Sequence, residues 1–204
     1  MIEIVHPALP APGRLFAGPR PEPPYAAAAA TLRAGGVTTV VSLLGEDELP
    51  PALERAYADA GLTLRRFPIA DFGVPADAAA FRSFLERMLV DLRAGEAMYL
   101  HCAMGRGRTG TALACLLALA GAEGDPVALT RALYRRDTVE TAGQRAFAGI
   151  RFPRWKRALA GRLAWGGSRF SAPQPPRGEH AGRREGSSGE APPEDRARGV
   201  LPVR

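Results

Sequence analysis

The chain has 204 residues, a formal net charge of +6 and two cysteines. Its length suits one domain with an appendage, no apolar run approaches the roughly 18–20 residues of a bilayer-spanning helix, and two cysteines make no disulfide framework. Residues 1–150 hold 15 basic and 16 acidic side chains, so the positive charge lies later and does not make the main body a nucleic-acid binder.

In chain order, Ile2 to Val5 reads as a short strand, followed by a Pro- and Gly-punctuated stretch. Tyr25 to Ala34 is Ala-rich and ends at Gly35-Gly36, the pattern of a helix with a glycine stop. Val37 to Leu44 is β-branched and bounded by glycines, which predicts a buried strand. Pro51 to Ala60 reads as a helix and Leu62 to Ile69 as a strand. A loop follows at Ala70 to Pro75. Pro75 is expected to open a long helix, with Phe81, Phe84, Leu85, Met88, Leu89 and Leu92 on one face. Ala97 to Leu100 reads as a buried strand, Thr109 to Ala120 as a helix, and Pro126 to Arg136 as another. A last helix is expected from Thr141 towards Leu163, kinked at Pro153. Alternating strands and helices predict an α/β fold with a largely parallel central sheet flanked by helices. Residues 1–165 form the expected domain, and the Gly-, Pro-, Ser- and Arg-rich residues 166–204 an expected disordered tail.

Between the strand and the helix lies HCAMGRGRTG, His101 to Gly110. Such a turn aims backbone N–H groups and a helix dipole at its centre, which makes an anion site. Cys102 puts a thiol there, in surroundings that favour the nucleophilic thiolate. Arg108 offers a planar fork for two phosphate oxygens. Ala103, Met104, Gly105, Arg106 and Gly107 wrap between them, and the glycines permit close backbone approach. Phosphoryl transfer to sulfur, then hydrolysis, is the implied reaction. In open α/β sheets such chemistry sits beyond the carboxyl ends of the strands, where Cys102 falls.

His101-Cys102 through Arg108-Thr109-Gly110 resembles the signature of the cysteine-dependent protein tyrosine phosphatase superfamily, with most similarity to small atypical dual-specificity phosphatases and their prokaryotic relatives. The resemblance spans roughly Gly13 to Trp155. Gly13 to Gly18 resembles the first strand of that family. Pro68-Ile69-Ala70-Asp71-Phe72 resembles its general-acid loop, with Ala70 where Pro is usual. Val139 to Gln144 resembles a late loop whose Gln places the hydrolytic water, with Gly143 where an acid is usual. The resemblance implies that Cys102 carries a phosphocysteine, Arg108 binds the phosphoryl oxygens, and Asp71 acts as acid and then base. It also implies that Thr109 hydrogen-bonds the thiolate, His101 braces the loop, Gln144 supports it, and neither metal nor cofactor is needed.

Plainer readings stand beside these. Asp71 is also a helix cap or turn residue by its position, and Gln144 a surface residue at a helix start. Glu46, Asp47 and Glu48 read as solvated, and Cys115 as core instead of a redox partner. The five basic residues of 151–165 read as a solvated helix face, with a phosphate-rich surface or membrane contact as the alternative. The N-terminus MIEIVHPALP lacks the basic-then-apolar pattern of a secretion signal, and a cytoplasmic setting is expected. The expected substrate is a phosphorylated protein, on tyrosine and also on serine or threonine. The alternative keeps the chemistry on a phosphoinositide, an RNA 5′ triphosphate or a small phosphoester, motivated by Arg106. A phosphate-binding module without turnover is the third reading.

Overall fold

The computed structural model describes residues 1–150 of the protein. The final part of the last expected helix, the basic run 151–165 and the tail lie outside the described residues. Strands β1 (Ile2–Glu3), β2 (Arg14–Pro19), β3 (Thr39–Ser42), β4 (Thr63–Arg66) and β5 (Ala97–Cys102) form one sheet in the order β1-β2-β5-β3-β4. Only the edge strand β1 runs antiparallel. Helices are α1 (Tyr25–Ala34), α2 (Pro51–Asp59), α3 (Ala78–Arg93), α4 (Gly107–Leu119), α5 (Pro126–Leu133) and α6 (Ala142–Ile150). The α/β reading with a largely parallel, helix-flanked sheet holds.

Period-two alternation divides the core between the two faces of the sheet. Leu15, Ala17, Val41, Met98, Leu100 and Cys102 pack with residues of α3 and α4. Phe16, Val40, Ala97 and Tyr99 pack with Leu32, Leu53 and Tyr57 of α1 and α2. Neighbours His101 and Cys102 therefore serve opposite layers. The central strand β5 is buried along its whole length, as a parallel strand covered on both sides must be.

Two helix starts differ from expectation. α3 begins at Ala78, because the Asp77 side chain accepts from the Ala79 and Ala80 amides, and an N-cap residue lies outside the helix it caps. α4 begins two residues earlier than expected, at Gly107, so Arg108 belongs to its first turn. All thirteen residues of α4 are buried. Gly110 lets the helix approach the later loop, since a Cβ there would lie 2.6 Å from Thr138 Cβ.

Candidate active site

Cys102 ends β5 opposite Pro19 of β2, and the chain then turns through residues 103–106 into α4. The turn is held from outside, where the Arg20 amide donates to the Ala103 carbonyl at 2.9 Å. Gly105 is required, for it takes φ +67° and a Cβ there would lie 2.5 Å from the Gly18 carbonyl carbon. Cys102, Ala103, Met104, Gly107 and Arg108 line one pocket together with Asp71, Phe72, Glu140 and Gln144. Residues from three separate stretches of sequence thus converge on the thiol.

Arg108 is 2% exposed, and its charge is met by two carboxylates. Nη1 donates to Glu48 Oε2 and to the Ile69 carbonyl, the latter at 3.0 Å. Nη2 lies 2.9 Å from Asp71 Oδ1 in an ion pair, yet it forms no aligned hydrogen bond and keeps its donors unspent. Burial opposes the charge on Arg108, but Glu48 and the neighbouring anions outweigh it and keep the guanidinium ionised. Burial likewise opposes ionisation of Glu48. Hydrogen bonds from Arg108 and the Gly45 amide overcome it and hold this carboxyl below the ordinary Glu range. Glu48 is therefore no solvated loop acid. Its link to Arg108, sixty residues on, leaves no local pattern in the sequence.

The loop carrying Asp71 is tied to the loop before α6. Gln144 Nε2 donates to the Gly73 carbonyl at 3.1 Å, and Thr141 Oγ1 donates to the Phe72 carbonyl at 3.4 Å. Gln144 is fully buried, so it is not a surface residue, and its Oε1 accepts from the Glu140 and Thr141 amides. Val139 takes φ +58° just before this turn, an uncommon conformation for a β-branched residue.

His101 is fully buried behind the pocket. Burial is the main cause that lowers its pKa to about 4, so the ring is neutral at neutral pH. Nδ1 lies 3.1 Å from the Cys102 carbonyl, which can only accept, so Nδ1 carries the proton. Nε2 then accepts from the Tyr57 hydroxyl at 3.3 Å. The ring also stacks on Tyr99, with centroids 5.7 Å apart. Thr109 is fully buried, but its hydroxyl makes no hydrogen bond to Cys102 or to any other group among the described residues. Arg106 turns aside, its Nε 3.1 Å from Asp137 Oδ2. Cys115 sits within α4, where burial pushes its thiol well up, as suits a core residue. Among the described residues, no group of three or more His, Cys, Asp and Glu could hold a metal ion, and no helix is long and apolar enough to cross a membrane.

With this geometry in view, comparison with known proteins is informative. A family model described as Swiss Army Knife protein, DSP-PTPase phosphatase domain, matches residues 10–157. A protein of Invertebrate iridescent virus 3 named as a tyrosine phosphatase (067L) is 46% identical over 56 residues. That match covers 26% of this chain and 23% of the viral one, so the chain spans under a quarter of that relative's length. Kinase associated phosphatase, with its catalytic cysteine replaced by serine, superposes with a TM-score of 0.58 at 23% identity, over 67% of this chain and 83% of that one. PTPMT1 in complex with PI(5)P superposes at 0.55 and 17% identity, over 68% and 89%. At these identities the two structures show a shared fold.

Proposed function

The chain belongs to the cysteine-dependent protein tyrosine phosphatase superfamily, in its DSP-PTPase branch, and on that premise we propose that it hydrolyses phosphotyrosine, and also phosphoserine or phosphothreonine, in proteins without a metal ion. The observation that carries this reading is the meeting of Cys102, Arg108 and Asp71 in one pocket, with Asp71 2.9 Å from Arg108.

In the first step Cys102 Sγ attacks phosphorus and the bond to the leaving oxygen breaks. Asp71 gives that oxygen its proton, so the leaving group departs as an alcohol. Arg108 and the amides of the turn bind the equatorial oxygens and meet the charge that they carry in the transition state. In the second step water attacks the phosphocysteine, Asp71 takes a proton from it, and sulfur leaves as thiolate. Gln144 lines the same pocket; its carbonyl accepts from two backbone amides and one Nε2–H donates to the Gly73 carbonyl, which leaves the second Nε2–H for that water. The viral relative's name, tyrosine phosphatase, points the same way. The alternative, the same chemistry on a phosphoinositide, an RNA 5′ triphosphate or a small phosphoester, has less support, because the Arg106 side chain that motivates it pairs with Asp137.

The test is hydrolysis of an aryl phosphate by the full chain in a chelator, with vanadate as inhibitor. Acid quenching during turnover should trap phosphate on Cys102, and Cys102→Ser should abolish both trapping and turnover. Full activity in Cys102→Ser sinks the reading.

A further inference from the structure

Two arginines outside the catalytic pocket converge on one backbone oxygen. From α5, Arg131 Nε donates to the Thr138 carbonyl at 3.0 Å and Nη2 to the Val139 carbonyl at 3.2 Å. From α6, Arg145 Nη1 donates to the same Val139 carbonyl at 3.4 Å and to the Glu140 carbonyl at 3.0 Å. Two guanidinium groups are thus held close together although like charges repel. Val139, whose carbonyl they share, takes φ +58°, a conformation that a β-branched residue enters at a cost. Neither Arg131 nor Arg145 forms an ion pair among the described residues.

The nearby acids are committed elsewhere. Asp137 accepts two bonds from Arg135 at 3.1 Å each and pairs with Arg106. Glu140 lines the catalytic pocket, which neither Arg131 nor Arg145 does. Residues 131–145 hold four arginines against these two acids, while the rest of residues 1–150 hold eleven basic and fourteen acidic side chains. Positive potential is therefore concentrated at this corner. Each guanidinium has five N–H donors and spends two on carbonyls, so three remain on each. The carbonyl bonds orient both groups in advance, which leaves little ordering for a ligand to impose. A phosphate offers such forks more oxygens and more charge than a carboxylate does.

We propose that Arg131 and Arg145 form a second anion site, separate from the catalytic pocket, that binds a phosphate group, either free or carried on a polypeptide. The bound anion offsets the repulsion between the two cations. The site goes beyond the phosphatase reading and does not depend on it. It adjoins the pocket wall all the same. The peptide groups whose Val139 and Glu140 carbonyls hold the arginines donate their N–H groups, those of Glu140 and Thr141, to Gln144 Oε1.

The experiment titrates the full chain with inorganic phosphate and follows the arginine Nε–H signals by nuclear magnetic resonance. Sodium chloride at matched ionic strength is the control. In wild type the Arg131 and Arg145 signals should shift and saturate with a Kd of about 1–10 mM, which chloride should not reproduce. Arg131→Ala should weaken the saturation seen at Arg145 by about ten-fold, and Arg145→Ala that seen at Arg131. Arg145→Lys, which keeps the charge without the fork, should retain part of it. A second titration uses a phosphoserine peptide on the Cys102→Ser chain. Tighter saturation by the peptide assigns the site to a phosphate on a polypeptide, and tighter saturation by inorganic phosphate assigns it to the free ion. Linear drift of the wild-type signals, equal in phosphate and chloride, overturns the site. Saturation unchanged in both alanine variants overturns it too.

Discussion

Asp71 Oδ1 lies 2.9 Å from Arg108 Nη2, so the proposed proton donor rests on the proposed phosphate clamp. A phosphoryl group bound by Arg108 must share or displace that contact. Asp71→Ala should therefore act in two directions at once. On a phosphotyrosine peptide kcat should fall by about 10²–10⁴-fold, because the leaving oxygen loses its acid. Competitive inhibition by inorganic phosphate should tighten by about three- to ten-fold, because a partly exposed ion pair worth about 1 kcal/mol no longer competes. Steady-state kinetics with added phosphate reads both, and an unchanged or weakened inhibition constant would refute the competition.

Glu48 positions Arg108 from the opposite side. Glu48→Ala should lower kcat/KM by about ten-fold or more, since the buried guanidinium loses a partner that fixes its plane. Glu48→Gln keeps an acceptor and should recover much of that loss. Both variants should bind phosphate more weakly if position governs, and more tightly if removal of negative charge governs. A phosphate titration followed by intrinsic fluorescence separates these outcomes.

The glycines of the loop should not be equivalent. Gly105→Ala demands φ +67° of an L side chain and drives a Cβ into the Gly18 backbone, so activity should drop by about 100-fold or more. At Gly107 no left-handed φ is demanded, and the atoms nearest the added Cβ are side-chain ends: that of Glu140, which can swing aside, and that of the hydrogen-bonded Gln144. Gly107→Ala should cost about ten-fold or less. Equal losses in the two variants would contradict this steric account.

His101 provides a pH signature of the scaffold. Its folded pKa is depressed to about 4 from an ordinary 6.5, chiefly by burial. Between those values the unfolded chain takes up a proton that the folded one refuses. Its stabilising effect is thus full above pH 6.5 and lost as the pH falls towards 4, on the order of 3 kcal/mol. Urea unfolding from pH 7 to pH 4 should show that slope, and His101→Asn should flatten it.

Much of this site was legible in the sequence because its central parts are contiguous. Cys102 to Arg108 span a single strand–turn–helix, and the spacing alone implied an anion site. Asp71 was legible through a short loop pattern, and Gln144 through another, but the bonds that join their loops were not. Those bonds run from Gln144 and Thr141 to the carbonyls of Gly73 and Phe72, and carbonyls carry no side-chain identity to read. Glu48 escaped for a related reason: an acid in a polar loop looks solvated until the fold brings Arg108 to it. Arg106 misled in the opposite sense, as a cation counted for the substrate that the fold gives to Asp137. The start of α3 was misplaced because Pro75 and Asp77 are both helix-opening residues, and the Asp77 side chain wins by capping two amides.

The complete burial of α4 also bears on how this protein should fail on heating. The proposed phosphate loop, residues 103–106, runs directly into the first turn of a helix whose thirteen residues are all buried, so its C-terminal anchor should not melt apart from the core. Inactivation and loss of tertiary structure should share one midpoint, with no temperature range in which the protein is folded but catalytically slack.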